Sequence, residues 1–502
     1  MPAECVNNEI RMKHFDVAIV GAGISGIGAA CHLQKQCPNK TYVILESRDA
    51  LGGTWDLYRY PGIRSDSDMH TLGYEFKPWV ADKSIADGPA ILDYVRKTAE
   101  ENDILKHILF KHRVQHAAWS TDNARWTLKL GPSDDGTGPS RITCNVLLMC
   151  SGYFSYDQPY RPYFDGEDTF TGPIFHPQLW PRDLDYTGKR VVVIGSGATA
   201  ITLLPAMAEK AEHITMLQRS PSYVVAYPDR DLIANTLRNW LPENFAYWIT
   251  RFKNIRLQHH VYHLARRSPQ TVKRLLLSGV RKQLGPDYDV DTHFTPHYPP
   301  WDQRLCIAPN GDLFQAIRSG KASVVTDQIE RITPNGIRLR SGTTLEADII
   351  VVATGLNVRL LGGVDFDLDG DPVRFPQTYT YKGRMYSDVP NLVHTFGYLN
   401  ASWTLRADLT ADFACRLLNR MDQLGVRQCT PRLRDQDHDM SQRPGIEGFS
   451  AGYVRRAMPL FPKQGDHPPW INLQNYIADR KLIRIDPQED GALVFDNPPA
   501  GS

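Results

Sequence analysis

Two glycine-rich turns constrain this chain more than any other feature, because each is framed as a nucleotide-binding strand–helix–strand unit. In the first, the apolar run 16–20 leads into Gly21, Gly23, Ser25 and Gly26. A helical pattern then continues through Gln36, and the run 42–45 ends at Glu46. The first glycine makes the turn, the second lets a pyrophosphate approach the backbone, and the third lets helix and strand pack. The helix N-terminus then receives the negative charge. Glu46 stands where a carboxylate accepts hydrogen bonds from an adenosine ribose and repels a 2′-phosphate, which selects FAD or NAD over NADP. The second unit runs from strand 189–194 through Gly195, Ser196, Gly197, Ala198, Thr199 and Ala200, a helix to Glu209 and a strand over 213–217. Where an NAD site would carry an acid, it has Arg219 and Ser220, a guanidinium and a hydroxyl suited to a 2′-phosphate dianion. The expected fold is therefore α/β, with two Rossmann-like dinucleotide-binding domains, one for FAD and one for NADPH.

At 502 residues the chain exceeds what a single hydrophobic core organises, which agrees with two or three lobes. Its 57 basic and 56 acidic residues leave a net charge of +1, so there is no global field for nucleic acid, and small molecules are the expected partners. The cysteines show no paired C-x-x-C spacing, which argues against a zinc site and against a redox dithiol. The first fifteen residues lack an apolar signal core and no apolar run reaches membrane-spanning length, so a soluble, cytoplasmic protein is expected.

Three further segments carry chemistry. The loop from Gly52 to Asp66, containing Gly53, Thr54 and Trp55, is too rich in Gly, Trp and Tyr to be solvent filler, and such loops line flat ligands. Between the two glycine turns, Phe170, Gly172, His176 and Trp180 fall in a stretch with too many backbone breakers for a strand or a helix, which predicts an ordered linker between lobes. His176 is read there as a linker imidazole, either satisfied by a backbone carbonyl or titrating, and not as a catalytic group. The segment 297–314 combines turn formers and aromatics with a cation, Arg304. A guanidinium stays charged at any working pH and stabilises an oxyanion in a water-poor pocket.

These segments, in this order, resemble the type I Baeyer–Villiger monooxygenases. The linker matches F-x-G-x-x-x-H-x-x-x-W-P, and the 52–66 loop matches the family's second signature at every specified position. Blocks such as GGTWDLYRYPGIRSDSDM, VIGSGATA, HYPPWDQRLC and NASWTLRADL bring the chain nearest to the ethionamide-activating type within that family. The resemblance implies that Trp55 and its neighbours contact the flavin, that Val114 offers its backbone to the adenine, and that Arg304 is the active-site arginine, paired with Asp66. It departs at Gln303, where many members carry a Lys that reaches the NADPH 2′-phosphate, so the coenzyme clamp is weakened. The implied activity is FAD- and NADPH-dependent oxygenation by O2 through a C4a-(hydro)peroxyflavin, turning ketones into esters or lactones and oxygenating sulfides or thioamides. A flavin N-hydroxylase would not require Arg304 or the 55–66 loop, and a non-enzymatic FAD/NADPH redox sensor would form no long-lived oxygen adduct.

The resulting organisation assigns 1–160 and 358–502 to an FAD-binding domain, 161–182 to the linker, 183–230 and 293–357 to an NADP-binding domain, and 231–292 to a helical insert. The insert is basic and interleaved with Trp240, Phe245, Tyr247, Trp248, Phe252 and Tyr262. Apolar stripes at helical spacing predict that these rings pack on the lobe beneath, in preference to a membrane-surface contact. A helix is expected over 91–101, strands over 108–114 and 117–130, a hairpin tip over 131–140, a buried strand over 143–152, a final strand over 391–400 and a helix from Trp403 to Leu424.

Overall fold

The computed structural model describes residues 12–131, 140–484 and 490–498; all of the expected hairpin tip 131–140 except its two end residues lies outside them. Lys13–Val20 forms the centre of a nine-stranded sheet. It pairs in parallel with Tyr42–Leu45 on one side and with Arg141–Met149 on the other, so that Val20 faces Leu45 and Met149. These strands carry almost unbroken apolar sequence because both faces are covered. α1 (Ile24–Gln36) lies on one face, its small residues Gly26, Gly28, Ala29 and Ala30 letting it approach closely. Ile108–Leu109 extends the sheet beyond Tyr42–Leu45, and Leu392–His394 adds a parallel strand on Arg141–Met149.

The expected strand over 117–130 is two strands, Val114–Ser120 and Arg125–Leu130, paired antiparallel. The chain reverses at residues 121–124, where Ala124 has φ 45°.

The second glycine turn opens α2 (Ala198–Ala208), which sits on a five-stranded parallel sheet. Its strand order is Ala322–Thr326, His213–Gln218, Arg190–Ile194, Ile349–Val352 and Ile174–Phe175. The last of these corrects an expectation: the 161–182 segment is not free of regular structure. Ile174 and Phe175 pair with Ile350 and Val351, and Pro177–Leu179 makes a 3-10 turn. An existing parallel edge supplies hydrogen-bond partners to two residues whatever their propensity.

α3 (Leu232–Trp240), α4 (Glu243–Arg267) and α5 (Pro269–Leu284) form the helical insert. One face of α4 is anchored: the Tyr247 hydroxyl donates to the Tyr74 carbonyl, Arg251 to the carbonyls of His70 and Gly73, and Asn254 to Asp68. Tyr247 is buried, but Trp240, Phe245, Trp248 and Phe252 are exposed. The expectation that the insert's aromatics pack on the lobe beneath is thus overturned for four of the six rings: Phe245, Trp248 and Phe252 lie on the side of α4 opposite its anchored face, and Trp240 ends α3 in the open.

α6 (Trp403–Leu424) returns against α1. The expected strand before it is short, Leu392–His394, because the chain turns out of the sheet at Gly397, where a Cβ would lie 2.3 Å from the Trp403 ring.

Candidate active site

The first glycine turn is shaped for close approach. Gly21 has φ 105° and a Cβ there would lie 2.7 Å from the Cys150 carbonyl oxygen, while Gly195 has φ 141° and its Cβ would lie 2.3 Å from that of Ala353. Each turn therefore leans on the end of a neighbouring parallel strand. A Cβ at Gly23 would meet only the backbone of Gly53, and one at Gly197 would meet nothing within 4 Å. Both turns thus present an open backbone surface of the kind a pyrophosphate occupies. Glu46 is buried and accepts from the N–H groups of Ala22 (2.8 Å) and Arg48 (3.0 Å). Burial pushes its carboxyl up, against the pull of those two N–H groups. Ribose hydroxyls would supply the donors such a carboxylate needs. Val114 begins a strand two residues after His112, whose N–H donates to the Glu46 carbonyl, so it lies at the same end of the groove. Ser25 in the first turn of α1 accepts from the Trp403 indole at 2.7 Å.

The 52–66 loop bridges the two turns. A Cβ at Gly53 would lie 3.1 Å from the Gly23 backbone, whereas one at Gly62 would lie 2.6 Å from the Ala206 side chain on α2. Between them, Tyr60 lies beside Thr199, Thr54 lies beside Tyr156, and Trp55 packs against the cores of both lobes. At the second turn, the Ser196 hydroxyl donates to the Ser220 carbonyl and Ala198 packs on the core beneath. Arg219 and Ser220 are exposed, and neither the Arg219 guanidinium nor the Gln303 amide has a partner among the described residues.

Arg304 is exposed and forms no hydrogen bond or ion pair among the described residues, so the direct pair expected with Asp66 is absent from this structure. The two are still coupled. Asp66 is enclosed enough that burial is the largest influence and pushes its carboxyl up, while Arg304 and then Arg64 pull it down. Arg64 itself is held by Asp312 and by the Ile307 carbonyl. Tyr153 and Tyr453 feel the same guanidinium: burial pushes both phenols up and Arg304 opposes it. Tyr153 stacks on Trp403 at 5.3 Å and meets the edge of Phe396, which opens onto an apolar cluster with Ile446, Val454 and Phe461. A charged guanidinium beside a half-buried carboxyl and an aromatic wall can stabilise negative charge on an oxygen held between them.

His176 is buried; its Nε2–H donates to the Gly355 carbonyl (3.0 Å) and its Nδ1 accepts from the Gln178 N–H (3.1 Å). Burial pushes the imidazole down to about 4, so it stays neutral and acts as a fixed strut. Phe170 packs with the apolar cluster behind the five-stranded sheet, Gly172 lies against the Asp348 carbonyl, and Trp180 meets Phe175 edge-on at 5.1 Å.

Residues 80–280 match the family model described as flavin-binding monooxygenase-like, and 19–82 match an NAD(P)-binding Rossmann-like domain. The chain is 54% identical to the FAD-containing monooxygenase EthA of Mycobacterium tuberculosis over 489 residues, 97% of this chain and 99% of that one. The chain belongs to the FAD-containing monooxygenases. Another relative, the probable FAD-binding monooxygenase AlmA of Acinetobacter baylyi, is 48% identical over 96% of both chains. Among solved structures, an oxidized steroid monooxygenase bound to NADP superposes with a TM-score of 0.78 at 23% identity, covering 97% of this chain and 100% of that one. An open cyclohexanone monooxygenase gives 0.76 at 18% identity over the same shares.

In this monooxygenase, Tyr153 and Tyr453 were not found by sequence reasoning. Tyr153 had a usable signal, since it follows the carboxyl end of the parallel strand Arg141–Met149, where such sheets meet their ligands. Tyr453 had none, because it reaches the site from a segment with no local motif.

Proposed function

We propose that this chain is an NADPH-dependent Baeyer–Villiger monooxygenase that also oxygenates organosulfur compounds. The overall change consumes a ketone, O2, NADPH and a proton and yields an ester or lactone, NADP⁺ and water. FAD, when bound along the first glycine turn, would take hydride from NADPH and return the two electrons to O2. The chain's own residues do the rest. Glu46 orients the adenosine ribose, Val114 meets the adenine, and Gly53, Thr54 and Trp55 face the flavin. Ser196, Thr199, Arg219 and Ser220 hold NADPH, with Gln303 a neutral neighbour of its phosphate. Arg304 stabilises the negative charge that develops on the substrate carbonyl oxygen when that carbonyl is attacked and that is lost as the carbon migrates, Asp66 holds that guanidinium in place electrostatically, and Tyr153 and Tyr453 wall the pocket against water.

The observation that carries this reading is the placement of the half-buried Asp66 within electrostatic reach of Arg304, at the end of a loop that touches both glycine turns. A flavin N-hydroxylase has no use for that pair. The test incubates the holoenzyme with NADPH, 18O2 and a panel of linear ketones, aryl ketones and bulky sulfides, with mass spectrometry of the products. Labelled esters or lactones alongside sulfoxides are expected. NADPH oxidation that yields only hydrogen peroxide with every compound would overturn the assignment.

A further inference from the structure

The outer face of the helical insert is unlike the rest of the surface. On α4, Phe245, Trp248, Phe252 and Arg256 follow one another at helical spacing on the side opposite the buried Ala246, Tyr247, Thr250, Arg251 and Asn254. Phe245 and Trp248 lie nearly parallel (6.5 Å, 9°), as do Trp248 and Phe252 (5.9 Å, 15°), and Arg256 sits 5.2 Å over the Phe252 ring. Trp240, at the end of the preceding α3, is 82% exposed. An exposed ladder of stacked aromatic rings marks a contact surface.

Its charge says what kind of surface it fits. Across residues 232–284 the only acid is Glu243. Of the basic side chains there, Arg238, Arg251, Lys253, Arg266 and Arg281 are each engaged by a carboxylate from Asp82, Asp408, Asp231, Asp302 and Asp291. Arg256, Arg267, Lys273, Arg274 and Lys282 have no carboxylate partner among the described residues, and Arg256 and Arg267 lie on α4 with the rings. Exposed Trp and Phe flanked by unpaired cations form the pattern of a helix that lies in a headgroup layer, its rings at the acyl boundary and its cations on anionic lipid. A second copy of this chain is a poor occupant, because a two-fold contact would set the same unpaired cations against themselves.

We propose that the α3–α4 face docks this monooxygenase peripherally on an anionic lipid surface. No helix among the described residues is long and apolar enough to cross a membrane, so the contact is one of lying on the surface. Docking would also reach the site mechanically. Near its far end α4 carries Arg266, which pairs with Asp302, and Tyr262, whose ring meets Trp301 edge-on at 6.4 Å, two residues that precede Arg304. This inference rests on the surface alone and does not depend on the substrate assigned above.

The experiment sediments the FAD-loaded full chain with vesicles of phosphatidylcholine alone or mixed with phosphatidylglycerol. It compares wild type with Trp240→Ser/Trp248→Ser and with Arg256→Glu/Arg267→Glu. Wild type should partition to the phosphatidylglycerol vesicles at least about tenfold more strongly than to phosphatidylcholine, and each double variant should lose about tenfold or more of that binding. High salt should weaken the wild type, while NADPH oxidation without vesicles stays unchanged in both variants. Failure of wild type to sediment with the mixed vesicles, or equal sedimentation of wild type and the tryptophan variant, would overturn the proposal. So would a wild-type dimer in solution that the tryptophan substitutions convert to monomer, since a second copy would then cover the face.

Discussion

Under the proposed function, Arg219 is the residue that selects NADPH over NADH, and Arg219→Ala tests it. The side chain follows the carboxyl end of His213–Gln218, is exposed, and has no partner among the described residues, so its charge is free for a ligand. The nearest help expected from sequence, Gln303, carries no charge to share the load. Removing one charge-assisted contact of about 1.5–3 kcal/mol raises the NADPH KM by roughly 10- to 100-fold. NADH lacks the phosphate and should keep its KM within about twofold, since the contacts at Gly197 and Thr199 are untouched. The assay is steady-state oxidation of each coenzyme, followed by absorbance at saturating ketone. Gln303→Lys in the Arg219→Ala background should restore part of the NADPH affinity and none of the NADH affinity. Equal losses for the two coenzymes would refute the reasoning, because they would mean that Arg219 supports the fold of the turn instead of reading the phosphate.

Two further outcomes follow from carboxyls that burial perturbs. Burial raises the Asp66 carboxyl, so ketone turnover should fall as pH drops through that raised value, and Asp66→Asn should lower the rate and abolish this acid limb; an unchanged limb in the variant's pH profile would remove Asp66 from the site. Asp479 is fully buried against Arg384, Arg406 and the Tyr398 hydroxyl; burial pushes its carboxyl up, but Arg384 and Arg406 more than offset this and hold it below its ordinary value. Its contribution to stability is therefore present above the unfolded carboxyl pKa of about 3.9 and is lost as pH falls through the lower folded value. Asp479→Ala, which strands two buried guanidinium groups, should cost about 3–5 kcal/mol in denaturant melts at neutral pH, and a loss below about 1 kcal/mol would show that the cluster relaxes around the change.

The parts legible in the sequence were those in which a local pattern fully determines local structure. The glycine turns were legible because a positive φ and a close carbonyl leave no alternative residue at Gly21 and Gly195. The helix Trp403–Leu424 was legible because Ser402 precedes its apolar stripe and Gly425, in the left-handed region, ends it. What failed depended on neighbours. The pairing of Ile174 and Phe175 is decided by Ile350 and Val351, far away in the chain. The helical spacing of Phe245, Trp248 and Phe252 specifies that they share a face and says nothing about whether that face meets protein. The Arg304–Asp66 relation was legible as proximity, but the electrostatic coupling without a direct pair depends on side-chain positions that no motif encodes.

The central claim, that Arg304 governs oxygen transfer, is tested most directly by coupling in Arg304→Ala: ester formed and hydrogen peroxide released per NADPH consumed, with a ketone that the wild type converts. Cofactor binding rests on the two glycine turns, so the variant should hold FAD and accept hydride from NADPH. Loss of a preorganised charge at a developing oxyanion should lower ester formation by about 10²–10³, with hydrogen peroxide accounting for nearly all the NADPH oxidised. Ester formation at the wild-type rate and coupling ratio would contradict the account.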